Sequence, residues 1–223
     1  MSATVILVHG LWMSGFELTV LRRRLQAAKM QTAAFSYPSM TRPMNAHARA
    51  LLEFARAQQC DQLHFVGHSL GGIVILRALE LDGANSLPPG RAVLLGSPLQ
   101  GSCAARGITK LLPFGRAILG MSINEECIEH CPRTWAGQRD VGVIAGSSGL
   151  GLGRLFATME GEHDGTVLVS ETQLPGAKDH LVLPASHSSM VFSSAVANQT
   201  VHFLTHGAFL RTAQASHVTA PAP

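Results

Sequence analysis

A serine stands among glycines in Gly67-His68-Ser69-Leu70-Gly71-Gly72. A hydroxyl becomes a useful nucleophile only beside a base, and the base needs a third group to orient it. The spacing G-x-S-x-G suits that chemistry when a strand enters the motif and a helix leaves it. Here Leu63-His64-Phe65-Val66 reads as a strand, and Ser69–Glu80 reads as a helix. At so sharp a turn, a side chain two residues before or after the serine would collide with strand or helix. Gly67 and Gly71 therefore permit the turn, and Gly72 lets the helix lie close to the sheet. The helix N-terminus aims free N–H groups and the positive end of its dipole at the reacting centre. A glycine-rich turn with an incidental serine is the competing reading, and the flanking strand and helix weigh against it.

An acyl carbonyl under attack develops negative charge on oxygen and needs fixed donors there. One is expected to be the N–H of Leu70, which follows the nucleophile. A second must come from another loop. Val8-His9-Gly10-Leu11-Trp12 ends the first apolar run, on the correct edge of a sheet, and offers the Leu11 N–H. Gly10 lets this loop approach the serine, and His9 is read as a brace. His9, Gly10, Gly67, His68 and Gly71 are thus supports of the elbow and loop. Trp12 is read either as a wall of an acyl pocket or as an ordinary buried aromatic.

In hydrolases built on such an elbow, the acid follows the serine in the chain and the histidine comes last. His180 opens the last strand at its wrong end, His202 and His206 lie inside the final helix, and His217 is in the tail. His187 alone lies just past a strand, in Pro184-Ala185-Ser186-His187-Ser188-Ser189, and is the expected general base. For the acid, Asp82 ends a helix, whereas Asp140 and Asp179 precede strands. Asp164, in Glu162-His163-Asp164-Gly165-Thr166-Val167, lies in a loop after a strand and is preferred, with Glu160 and Glu162 as fallbacks.

These residues need a scaffold. Six short runs rich in Val, Ile and Leu read as strands: Thr4–Val8, Gln31–Ser36, Gln62–Val66, Ala92–Leu95, Val141–Ala145 and His180–Leu183. Near-continuous apolar runs mark strands covered on both faces. Helical patterns over Phe16–Lys29, Met44–Gln58, Ser69–Glu80 and Ser193–Phe209 alternate with them. The expectation is an α/β fold: a mostly parallel sheet of about six strands with helices on both faces. Residues 1–210 form one domain in this reading, and 211–223 form a flexible tail. Residues 100–139 break the alternation and read equally well as a cap or lid and as a packing excursion.

The chain has 223 residues, 46% hydrophobic and 14% charged, which argues against disorder. A net charge of +3, with no basic run beyond Arg22-Arg23-Arg24 on a predicted helix face, gives no nucleic-acid surface. No apolar run reaches the length of an integral membrane segment, and the N-terminus lacks the basic start of a signal peptide. The expected location is cytoplasmic, and Cys60, Cys103, Cys127 and Cys131 are expected to be free thiols there. Cys127, His130 and Cys131 could share a helical face, but no second ligand pair with zinc-site spacing follows. No metal or organic cofactor is called for.

Taken together, these motifs resemble the α/β-hydrolase superfamily, and most of all its small bacterial lipases and esterases with a minimal core. The resemblance runs from His9-Gly10 to the helix ending near Phe209. It implies a Ser69–Asp164–His187 triad, an acyl-enzyme and a small-molecule or lipid ester substrate. Acyltransferases, thioesterases and non-catalytic binding proteins share the fold, so the fold alone does not fix the reaction. The glycines of the Gly146–Gly153 loop miss the dinucleotide pattern. That loop and the Ile108–Met121 segment are candidates to line a lipid cleft.

Overall fold

The computed structural model describes residues 2–83, 86–129, 132–137, 139–149 and 159–211. Six strands form one sheet: β1 (Ala3–Val8), β2 (Gln31–Phe35), β3 (Gln62–His68), β4 (Ala92–Leu95), β5 (Val141–Gly146) and β6 (Asp179–Leu183). Their order is β2-β1-β3-β4-β5-β6, and every pair is parallel. Each strand expected from the sequence is present. β3 runs two residues further than expected, because Gly67 still pairs with Val8 and His68 with Leu95.

The apolar runs follow from burial on both sides. Val5 and Leu7 join one core cluster, with α1 (Thr19–Ala27) and α6 (Ser194–His206) packed over it. Ile6 and Val8 join the other, beneath α2 (Met44–Arg56) and α3 (Leu70–Leu81). Strand alternation sends successive side chains to opposite faces, so nearly every residue of the inner strands β1, β3, β4 and β5 is buried, whereas the edge strands β2 and β6 are mostly half-buried or exposed. The Phe16–Lys29 stretch splits into a single 3-10 turn, Phe16–Leu18, and α1, which stops before the left-handed Lys29.

Residues 100–139 contain two further helices, α4 (Cys103–Leu111) and α5 (Gly115–Ile123). The Ser102 side chain caps α4 by accepting from the Ala105 N–H. α5 is broken at Gly120 (φ 74°, ψ 176°), where a side chain would meet the Met40 backbone. A wide helical turn, Asn124–Glu129, follows. The tail from residue 212, residues 150–153 of the Gly-rich loop, and His130 and Cys131 lie outside the described residues.

The chain leaves β1 toward β2 on one side and places β3 on the other. Between such strands the outgoing loops diverge and leave a crevice at their carboxyl ends. The loops after β1, β3, β4, β5 and β6 all leave from this one edge.

Candidate active site

β3 delivers Ser69 directly into α3. Its backbone (φ 54°, ψ −122°) lies in a region that non-glycine residues seldom occupy. The Ser69 N–H donates to Leu95 O over 2.8 Å, and Ser69 O accepts from the Gly72 N–H over 3.1 Å, which holds the turn. The glycines answer to sterics. A Cβ on Gly67 would lie 2.6 Å from Gly72 N and from Ile75 Cδ1. One on Gly71 would run into the carbonyls of Val8 and His9, and one on Gly72 into Ser97 Oγ.

The Val8↔Gly67 register sets the loop after β1 beside this elbow. Gly10 backs onto it, since a Cβ there would stand 3.1 Å from Ser69 Cβ. Neither the Leu11 nor the Leu70 N–H has an acceptor among the described residues. His9 is fully buried. Its Nε2 accepts from the Tyr37 N–H (3.2 Å), so Nδ1 carries the proton and donates to Gly10 O (2.8 Å). The Tyr37 hydroxyl donates to His9 O (2.9 Å), and burial drives its pKa well above the ordinary phenol value. The two rings stack at 4.5 Å. Both nitrogens of His9 are thereby spent on backbone geometry.

Asp164 and His187 meet at the far side of the crevice. His187 Nδ1 and Asp164 Oδ2 are 2.7 Å apart. Asp164 is buried, and its Oδ1 accepts from the N–H groups of Thr166 (2.9 Å) and Val167 (2.7 Å). The tight turn that provides them passes through Gly165 at φ 95°. The His187 N–H donates to Asp164 O (2.8 Å), so two hydrogen bonds join the loops. Ser69 and His187 line the same cavity of about 250 Å³. Ser69 Oγ has no hydrogen-bond partner among the described residues. Contacts of this kind commonly tighten only when substrate binds.

The other candidates are engaged elsewhere. Asp82 holds Arg56, Ser86 and the Leu87 N–H at the end of α3. Asp140 pairs with Arg91 and Lys178, and Asp179 with Arg211. Glu160 and Glu162 are exposed. His180 bonds Thr172 from within β6, and His202 and His206 stack on α6. Cys127 is buried, and burial, with Glu171 beside it, pushes the Cys103 thiol up to about 11.

The cavity is walled mostly by apolar side chains. Ala104, Ala105 and Ile108 come from α4, Leu119 and Ile123 from α5, and Leu11, Trp12 and Met13 from the loop after β1. Trp12 is not a buried aromatic: it is 58% exposed, at φ 58°. Its indole N–H donates to Ile118 O on α5 (3.0 Å). Of the Gly146–Gly153 loop, the described residues do not reach this cavity.

Gly96 and Glu171 escape a reading of the sequence alone, and His68, read there as a support of the elbow, also reaches the histidine loop. The fully buried His68 donates Nε2–H to His187 O (2.9 Å), while its Nδ1 has no hydrogen-bond partner among the described residues. Burial, helped by His187, lowers its pKa to about 3, so the ring is neutral. Gly96 (φ 56°) ends β4, and a Cβ there would lie 3.0 Å from Asp164 Oδ2 and 3.2 Å from His187 Nδ1. The buried Glu171 accepts from the N–H groups of Cys103 and Leu168, tying the start of α4 to the Asp164 loop. For Gly96 and Glu171, a glycine directly after an apolar strand was the one local signal.

A family model described as "Alpha/beta hydrolase family" matches residues 5–211. No curated protein matches the sequence. Among solved structures, the chain is similar to a Bacillus licheniformis lipase in its mature form, with 20% identity and a TM-score of 0.66, over 84% of this chain and 86% of that one. It is similar to a metagenomic carboxyl esterase at 17% identity and TM-score 0.63, covering 85% of this chain and 65% of that one. A thioesterase of the prodiginine biosynthetic pathway in Streptomyces coelicolor matches at 13% identity and TM-score 0.60, over 91% and 85%. At these identities the structures share a fold. The family match covers nearly all of the chain, and the protein belongs to the alpha/beta hydrolase family.

Proposed function

We propose that this protein is a serine hydrolase that cleaves carboxylic esters with an apolar acyl group through an acyl-enzyme. The observation that carries this reading is the 2.7 Å Asp164–His187 hydrogen bond facing Ser69 across a shared apolar cavity.

In this mechanism Asp164 holds the Nδ1–H of His187, leaving Nε2 to accept the Ser69 proton. Ser69 Oγ bonds to the acyl carbon, and the carbonyl electron pair moves onto oxygen. The Leu11 and Leu70 N–H groups, without an acceptor among the described residues, receive that oxyanion. The pair returns, the C–O bond to the alcohol breaks, and His187 protonates the departing oxygen. Water then repeats the cycle on the acyl-enzyme, with His187 as base, releasing the acid and restoring Ser69. α4 and α5 act as a cap whose inner faces hold the acyl chain.

The test is reaction with a fluorophosphonate, followed by peptide mass spectrometry. The expected adduct is on Ser69, weakened in His187→Ala, with p-nitrophenyl ester hydrolysis lost in a folded Ser69→Ala protein. Ester cleavage retained by folded Ser69→Ala would overturn the assignment.

A further inference from the structure

Trp12 joins two parts of the site that would act on different ends of a substrate. It follows Leu11, the proposed oxyanion donor, and its indole N–H reaches Ile118 O on α5 over 3.0 Å. Ile118 directly precedes Leu119, which is buried and lines the cavity. One side chain thus connects the oxyanion loop to the wall assigned to the acyl chain.

The backbone of Trp12 needs holding. Its φ of 58° falls in the left-handed region, which bulky side chains seldom enter. Such a conformation persists only where its surroundings impose it. Two hydrogen bonds do so here: the Trp12 N–H donates to the buried Ser39 Oγ over 3.3 Å, and the indole N–H to α5. Residues 36–43, which follow β2, also hold the start of the oxyanion loop, because the Tyr37 N–H and hydroxyl donate to His9 Nε2 and His9 O. The same stretch seats α5. Met40 O accepts from the Met121 N–H (3.3 Å), and Arg42 O from the Ser122 hydroxyl (3.0 Å). Of the two partners that hold Trp12, Ser39 lies outside the cavity, and α5 forms part of its wall.

We propose that Trp12 is a positioning residue that couples occupancy of the acyl cavity to the oxyanion hole, an inference that rests on the ester-hydrolase reading. An acyl chain gains contact with Leu119 only while α5 keeps its seat, so a chain that fills the cavity favours that seat. Ile118 O then stays within reach of the indole, and the left-handed turn at Trp12 is held. The Leu11 N–H in turn stays aimed at the oxygen beside Ser69. Binding energy far from the reacting carbon is thereby spent on orientation in the transition state, and it raises kcat as well as affinity. The substrates so favoured are esters whose acyl chain reaches α5, rather than acetates.

The experiment compares p-nitrophenyl acetate with p-nitrophenyl octanoate in three full-length proteins. They are the wild type, Trp12→Phe, and a protein carrying 3-benzothienylalanine at position 12, which keeps the bulk of the ring and lacks the N–H. Trp12 is 58% exposed, so both replacements should fold, and thermal unfolding checks that they do. Expected in the wild type is a kcat for octanoate about five- to tenfold above that for acetate, the size that one hydrogen bond supports. In both variants that ratio should fall to about one, while KM for octanoate stays below KM for acetate because the apolar walls remain. A wild-type ratio near one, a ratio that survives in either variant, or a KM difference lost together with the ratio would overturn the proposal. The last result would leave Trp12 as a wall of the pocket and no more. Labelling of Ser69 by an ethyl fluorophosphonate is measured separately: no adduct refutes the catalytic reading, whereas an adduct with a surviving ratio refutes the coupling alone.

Discussion

His68 donates its Nε2–H to the main-chain oxygen of His187 across 2.9 Å, and the two rings lie 4.8 Å apart. The residue next to Ser69, the proposed nucleophile, thus anchors the loop that carries the proposed base. His68→Leu removes the donor and leaves a largely buried carbonyl unpaired, a change costing about 1–3 kcal/mol. The loss should fall toward the low end, because the variant also removes the unpartnered Nδ1. The expected signature is a reduced rate of Ser69 labelling and reduced kcat at nearly constant KM. His68→Gln, which keeps an N–H donor, should recover part of both. Equal rates in wild type and His68→Leu would show that the bond does not position His187.

Asp164 serves its neighbours with both oxygens. Asp164→Asn keeps the shape but offers His187 no secure anion and no fixed tautomer, a change that costs about 10,000-fold in kcat where such triads operate. Because Oδ1 also accepts two backbone N–H groups, a flipped amide would set donor against donor. Steady-state ester kinetics should show the activity loss, and thermal unfolding a smaller loss of stability.

Gly96→Ala adds one methyl group 3.0 Å from Asp164 Oδ2. The backbone there is left-handed, which costs an L-residue about 1–2 kcal/mol. Displacing a catalytic pair by a fraction of an ångström to an ångström can cost about 100-fold in rate. The matched control is Gly83→Ala, where a Cβ meets nothing within 4 Å. Labelling rates should separate the two variants clearly.

Acid should destabilise the fold through buried neutral histidines. Burial lowers the pKa of His68 to about 3 and of His64 to about 4, and lowers those of His47 and His180 as well. Below the ordinary value near 6.5, the unfolded chain binds protons at these sites that the folded chain refuses. Unfolding therefore takes up protons, and stability falls as pH drops from about 6.5 toward about 3. Above that window their contribution is complete and flat. Urea midpoints measured between pH 4 and pH 8 should rise with pH, and His64→Gln should flatten the slope by about one proton.

Strands, elbow and triad candidates were readable in the sequence because each leaves a local mark. An apolar run covered on both faces, a glycine two residues either side of a serine, and an acid or histidine just past a strand are all short-range patterns. The α4–α5 segment was ambiguous because α5 is apolar on its inner and its outer side, which blurs the periodicity that marks a one-sided helix. Gly96, and the bond by which His68 reaches beyond the elbow, were obscure for another reason. Their partners, His187 and Asp164, are far along the chain, and only the side-by-side pairing of β3, β4, β5 and β6 brings them together.

The histidine loop follows β6, which pairs with β5 alone at the edge of the sheet. His68 and His187 stand 119 positions apart in the chain. A growing polypeptide consequently carries Ser69 long before it carries His187, and contacts of such long range form late. On the catalytic reading, a partly made or partly unfolded molecule is inert toward the esters around it, and chemical competence arrives as the final strand docks.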